Sequence, residues 1–119
     1  MDSALEFTPY SGDLMGLPTN ENHLVFRWNR QDCKVLFSAS RRGNAASCHF
    51  ASDKRGLRHI KEAIDGFVRF AFWLFDWCEM VLAQVSVQSV GRLIQKIGFD
   101  PVADCEEGTI YMRRNHELY

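Results

Sequence analysis

The sequence predicts a mixed α/β (α+β) fold, and three stretches carry that expectation. Between Ile60 and Trp77, the residues Ile60, Ala63, Ile64, Phe67, Ala71, Leu74 and Phe75 recur at spacings of three and four, the period of one apolar helical face. Met80-Val81-Leu82-Ala83, running on into Gln84-Val85, is apolar over the length of a strand and suits a strand covered on both faces, hence parallel and central. Val90, Leu93, Ile94 and Ile97 mark a second helical stripe that opens near Ser89 as N-cap and stops at Gly98, where a left-handed residue ends a helix. A helix feeding a buried strand that feeds another helix requires a sheet for both helices to pack on, which excludes a helical bundle.

Taken in order, residues 1–22 hold Pro9, Gly12, Gly16 and Pro18 among small and polar residues and read as an irregular arm with at most one short helix, ahead of a single domain over 23–119. From Leu24 the pattern alternates, with Leu24, Phe26 and Trp28 on one face and Val25 and Arg27 on the other, until the polar Asn29-Arg30-Gln31-Asp32 turn. Cys33–Ser38 is the returning strand, Arg41-Arg42-Gly43-Asn44 the next turn, and Ala45–Ala51 the third strand of an antiparallel meander. In the central helix the other faces also turn apolar from Phe70 onward, through Phe72, Trp73 and Trp77, so its second half is expected to be covered nearly all round. The strand at 80–85 should lie parallel to that at 45–51, because the helix between them is long enough for a right-handed crossover. Beyond Phe99, which folds back on the second helix, Pro101 opens an extended stretch through Val102 and Cys105, Glu106-Glu107-Gly108 turns, and Thr109–Arg113 returns as the last strand. The order is β-β-β-α-β-α-β-β, with a tail over 115–119 that is expected to fray.

At 119 residues the chain is large enough to bury roughly two thirds of its unfolded surface, and nine Phe, three Trp and three Tyr supply bulky anchors. A net charge of −1 argues against a dedicated nucleic-acid binder; Arg41-Arg42, Arg113-Arg114 and a cluster over 54–61 are the local basic exceptions. Cys33, Cys48, Cys78 and Cys105 are scattered with no C-x-x-C spacing, and no signal-peptide pattern opens the sequence, so a reduced cytoplasm is expected. The apolar segment from Gly66 to Cys78 contains Arg69 and Asp76 and falls well short of the ~20 residues a membrane span needs. His23, His49, His59 and His116 show no ligand spacing, so nothing supports metal binding.

The element order, and the closing run Leu93-Ile94-Gln95-Lys96-Ile97-Gly98-Phe99 followed by a hairpin, resembles the GNAT superfamily of acyl-CoA-dependent N-acyltransferases over about residues 24–114. The resemblance implies a GNAT-like mixed sheet whose two N-terminal helices have no room in the first 22 residues, acetyl-CoA as donor and an amine as acceptor. It also implies a loop, here Ser52-Asp53-Lys54-Arg55-Gly56-Leu57-Arg58, whose backbone amides hold the CoA pyrophosphate at a helix start. Phe50, Ser52, Arg55, Gly56 and Arg58 are the cofactor-binding candidates this carries over. Arg55-Gly56 matches the start of the family's R/Q-G-x-G pattern, whereas Arg58 stands where a second glycine is expected. Ile94 occupies the position of the family's general-acid tyrosine, and Val87 that of its frequent asparagine. Short, truncated relatives of this kind resemble those carried by bacteriophages.

His49 lies on the strand that would run beside the acyl group, and a neutral imidazole there suits a base that deprotonates the amine; a solvent-facing or core-satisfied histidine is the plainer reading. Cys48 and His49 are adjacent on a strand and point to opposite faces, so they cannot pair for covalent catalysis. Glu79, before the buried strand, is a second base candidate or an exposed edge residue. Ser86, after that strand, touches a thiolate or caps the next helix. Lys54, Arg55, Arg58 and Lys61 cluster at a helix start, where they face CoA phosphates, an acidic partner or plain solvent. Trp73 and Trp77 belong to the core or, where exposed, anchor a homodimer or a partner protein. Two functions follow: an N-acyltransferase without covalent intermediate, in which the strands at 45–51 and 80–85 grip the thioester, or a GNAT-like fold that has lost its chemistry and acts by binding a host protein.

Overall fold

The computed structural model of the chain describes residues 6–17 and 22–115. Along them run β1 (Phe7–Pro9), β2 (His23–Trp28), β3 (Val35–Arg42), β4 (Ala45–Ser52), α1 (Lys54–Leu57), α2 (Ile60–Leu74), β5 (Met80–Val85), α3 (Gln88–Gln95), β6 (Asp100–Cys105) and β7 (Gly108–Arg114). The strands form one sheet in the order β1-β2-β3-β4-β5-β7-β6, antiparallel except for the β4–β5 pair. That parallel pair is the expected crossover product, with α2 as the connection.

The meander forms because its apolar residues alternate and its turn is short. Gly43, at φ +65, supplies the left-handed residue of the tight connection between Arg42 and Ala45, so β3 runs on through the arginines read as turn. Val35, Phe37 and Ala39 point to the side where both long helices lie. There Phe37 stacks on Phe67 of α2 with centroids 4.4 Å apart and planes 5° from parallel, and Phe7 and Phe26 close around the same ring. Ile60, Ala63, Ile64, Phe67 and Ala71 are buried as their spacing requires. α3 adds Ile94 to this core, and Gly98 at φ +97 lets Phe99 fold back, its N–H donating to the Ile94 carbonyl at 3.1 Å. On the opposite face lie Leu36, Ser38 and Ser40, buried although no long helix covers them; Leu17, just ahead of β2, is buried as well.

Several expectations are corrected. Phe7–Pro9, read as irregular arm, adds to the sheet beside β2, and its Phe7 is one of the most buried rings. α2 ends at Leu74 rather than Trp77, its last turn closed by Phe75 N–H on the Ala71 carbonyl at 2.9 Å. Trp73 and Leu74, expected to be covered, are 57% and 40% exposed. Leu74 keeps the phase of Phe67, seven residues back, so its exposure means that cover has run out, not that the helix is rotated. In β5 Val81 is buried, but the strand is not covered on both faces, because α2 and α3 pack on the same side. Neither Ser86 nor Ser89 caps α3; the N-cap position is Val87, which makes no side-chain cap bond. Asn115 is tied to Glu79 at 2.9 Å, while the expected fraying over 116–119 lies outside the described residues.

Candidate active site in the split between two parallel strands

The β4–β5 ladder has four rungs, from Ala45↔Met80 to Cys48↔Ala83, and then stops. β4 continues to Ser52, still paired with β3, and β5 to Val85, still paired with β7. The two strands therefore diverge from His49 and Gln84 onward, and each presents an unpaired row of backbone N–H and C=O groups to the gap. Such rows take up an extended, amide-bearing chain as an added strand would be taken up. Behind the gap lies a cavity of about 150 Å³ walled by Phe37, Phe50, Phe67 and Val68 on one side and Ala83, Val85, Val90, Ile94 and Phe99 on the other. Its wall is apolar except for Cys48, His49 and Gln84. The residues thus fit an extended thioester arm: a polar backbone track leading to a dry end.

His49 and Gln84 stand at the mouth. Both side chains belong to the sheet face away from α2 and α3, whereas Cys48, Phe50, Ala83 and Val85 face the helices. Burial holds the His49 imidazole below its ordinary value of 6.5, and the neighbouring His23 ring, 6.2 Å away centroid to centroid, adds to the effect. A group so tuned is neutral near pH 7 and able to accept a proton. Cys48 is the opposite case: burial first, and the nearby Cys78 second, push its thiol far above the range in which a thiolate forms. Such a thiol lines the wall as a small apolar group and is a poor nucleophile. The Gln84 amide donates to the Glu107 carboxylate at 2.9 Å, which brings the β6–β7 turn to the mouth.

The loop after β4 is built differently from a phosphate cradle. Asp53 is the N-cap of α1, and its carboxylate accepts from the Gly56 N–H at 2.8 Å and the Lys34 N–H at 3.0 Å. Those two bonds, with the Gly56 one foremost, hold its carboxyl below the usual range despite a partial desolvation. Gly56 is a glycine for packing reasons: a Cβ there would stand 2.2 Å from Ser52 Oγ and 2.6 Å from a Val35 methyl. Arg58 has ordinary helical angles, φ −67 and ψ −23, so the chain needs no second glycine. Ser52 Oγ donates to the Asp53 carbonyl at 2.9 Å, and Arg55 and Arg58 are exposed, lining with Lys54 and Asp32 a cleft beside the loop. The Gly56 amide of this loop is therefore already held by a carboxylate, while the side chains around it are cationic.

Of the residues singled out from the sequence, the fold brings His49 and Phe50 to the cavity and groups Ser52, Arg55, Gly56 and Arg58 at the far end of the diverging β4. Glu79 is at the closed end of the β4–β5 ladder, bonded to the Asn44 side chain and, through its backbone N–H, to the Asn44 carbonyl at 2.8 Å. Five residue steps along β5 separate it from Gln84, about 16 Å. Ser86 is exposed beyond β5. Sequence reasoning assigned no role to Gln84 or to Asp53; the Asp-x-x-Gly spacing of an N-cap was the available signal for the latter.

The sheet order, the one parallel pair that splits, and the helix-walled cavity beside it define a GNAT-like fold. The structure is similar to a variant of the spermidine N-acetyltransferase SpeG from Vibrio cholerae, with a TM-score of 0.67 and 11% identity over 80% of this chain and 67% of that one. It is similar to the N-acetyltransferase PseH from Campylobacter jejuni, with a TM-score of 0.68 and 11% identity over 81% of this chain and 70% of that one. It also resembles AAC(6')-Ib in complex with ribostamycin and coenzyme A, with a TM-score of 0.64 and 10% identity over 82% of this chain and 67% of that one. No protein-family model and no curated protein sequence matches the chain.

Proposed function

We propose that this protein transfers an acyl group from a thioester donor of the acetyl-CoA type to an amine, without a covalent enzyme intermediate. The observation that carries this reading is the split ladder: strands that part after Cys48 and Ala83, over an apolar cavity, are a receptor for an extended thioester arm. The donor supplies an electrophilic carbonyl. The chain supplies position and a base. The unpaired edges of β4 and β5 align the arm, the walls of Phe50, Val85 and Val90 exclude water from it, and His49, neutral at the mouth, accepts the proton that the amine sheds as it attacks. The C–S bond breaks as the C–N bond forms, and the departing thiolate takes up a proton from solvent and leaves as the free thiol. Acceptors enter from the face away from the helices, where His49 and Gln84 point. The similarity of the fold to solved N-acetyltransferases supports the same class of chemistry.

The test is steady-state acetyl transfer to a panel of amines by wild type and His49→Gln. A base at His49 is worth about 10²- to 10⁴-fold in kcat/KM, with thioester affinity unchanged. Equal rates in the two proteins remove His49 from the chemistry.

A second reading, a GNAT-like module that works by binding another protein, is favoured by one observation. Trp73 and Leu74, at the end of α2, are 57% and 40% exposed, and large side chains of this kind are suited to contact a partner. Transfer activity on no amine, together with no thioester binding, is the outcome that selects it.

A further inference from the structure

The loop that follows β4 already holds an anion. Asp53 presents one carboxylate oxygen to the Gly56 N–H at 2.8 Å and the other to the Lys34 N–H at 3.0 Å, while its own N–H donates to the Lys34 carbonyl at 3.0 Å. Two of these bonds hold the carboxylate and the third the backbone, between Lys34 just ahead of β3 and the first turn of α1. The Gly56 amide is thereby satisfied, and a phosphate brought to it would meet a carboxylate at contact distance, in the arrangement like charges disfavour most. Gly56 offers no way round, because Ser52 and Val35 fill the space its missing side chain leaves. The polar track and the cavity, by contrast, both address the thioester and its amide-bearing arm.

We propose that Asp53 is a built-in occupant of the phosphate position, and that the protein selects its acyl donor by the pantetheine-thioester half and not by the nucleotide diphosphate. This rests on the acyl-transfer reading above and narrows it: the donor class is an acyl thioester of pantetheine, whether free, phosphorylated or borne on a carrier, and acetyl-CoA is used no better than its short analogue. Lys54, Arg55 and Arg58, exposed around the loop, contribute at most a salt-screened attraction to donor phosphates, since none of them replaces an amide aimed at one bound oxygen.

The experiment is calorimetric titration of wild type, Asp53→Ala and Asp53→Asn with acetyl-CoA and with S-acetylpantetheine at 150 mM salt, the fold of each variant being checked by thermal melting. In wild type the two dissociation constants are expected to agree within about threefold. In Asp53→Ala the affinity for acetyl-CoA is expected to rise about tenfold or more with that for S-acetylpantetheine unchanged, and Asp53→Asn, which keeps an acceptor on the amides, to gain less. Wild type binding acetyl-CoA more than about thirtyfold tighter than S-acetylpantetheine overturns the role of Asp53 and leaves the acyl-transfer reading standing. Neither thioester binding overturns both. Should Asp53→Ala not fold, the wild-type comparison alone decides.

Discussion

The phase and reach of α2 are tested by a pair of truncations seven residues apart. Phe67 is 1% exposed, stacked on Phe37 at 4.4 Å and met edge-on by Phe7 at 5.4 Å. A buried phenylalanine removes roughly 150–250 Å² from water, which at ~25 cal/mol/Å² is about 4–6 kcal/mol for the whole residue. Alanine keeps the β-carbon's share but leaves a void beneath the stacked ring, so Phe67→Ala is expected to cost about 3–5 kcal/mol. Against a domain stability on the order of 5–15 kcal/mol, that moves the urea midpoint far to lower denaturant. Leu74→Ala shares the stripe but stands 40% exposed with less to lose, and alanine is the better helix former, so its cost is expected below about 1 kcal/mol. The assay is urea unfolding followed by tryptophan fluorescence and far-UV circular dichroism, read at equal m-value. A cost below about 1.5 kcal/mol at Phe67, or equal costs at both positions, would refute the packing described for α2.

Two further predictions concern the mouth of the split. Ala83→Leu places extra carbons in the cavity of about 150 Å³ at the last rung of the ladder; thermal melting should show a stability change within about 1 kcal/mol, since there is room, while calorimetry shows thioester affinity falling more than tenfold. Unchanged affinity would mean the arm does not use the cavity. Because the folded His49 is held below its ordinary value of 6.5, the unfolded chain takes up the proton first, so His49 draws stability down as pH falls from above 6.5 through the folded value. Urea midpoints of wild type and His49→Gln should converge over that interval, the variant losing less; parallel pH curves would show that His49 does not titrate out of step.

What could be read from the sequence is what local pattern decides. The crossover from β4 through α2 to β5 was legible because an apolar stripe of period 3.6 marks a helix and the apolar run after it, six residues long, is of strand length, although the same run overstated how far β5 is covered. Phe7–Pro9 was not, since a three-residue edge strand is chosen by its pairing with Phe26–Trp28, and nothing in Phe-Thr-Pro announces it. Trp73 and Leu74 misled for a related reason: periodicity tells which way a helix faces but not where the surface beneath it ends. The split itself left no trace in composition, because His49-Phe50-Ala51 and Gln84-Val85 are ordinary strand residues whether paired or parted. Arg55-Gly56 was read as a phosphate signature; the structure ascribes the glycine to crowding by Val35 and Ser52, a cause that a short motif cannot distinguish from the other.

Glu79 offers a last point. At the closed end of the ladder its side chain engages Asn44, its N–H reaches the Asn44 carbonyl and its carbonyl receives Asn115 at 2.9 Å, so the end of β7 and the β3–β4 turn are fastened to one residue. Further along, Arg113 on β7 grips Asp65 of α2 at 2.7 Å, part-buried, and joins the same half of the sheet to the helix that bridges the seam. In outline the sheet is a fork: two tines, β1–β4 and β5–β7, joined at the handle by the four paired rungs and parted at the tips. Asn44, Glu79 and Asp65 thus tie the two halves together at the end of the ladder opposite His49 and Gln84.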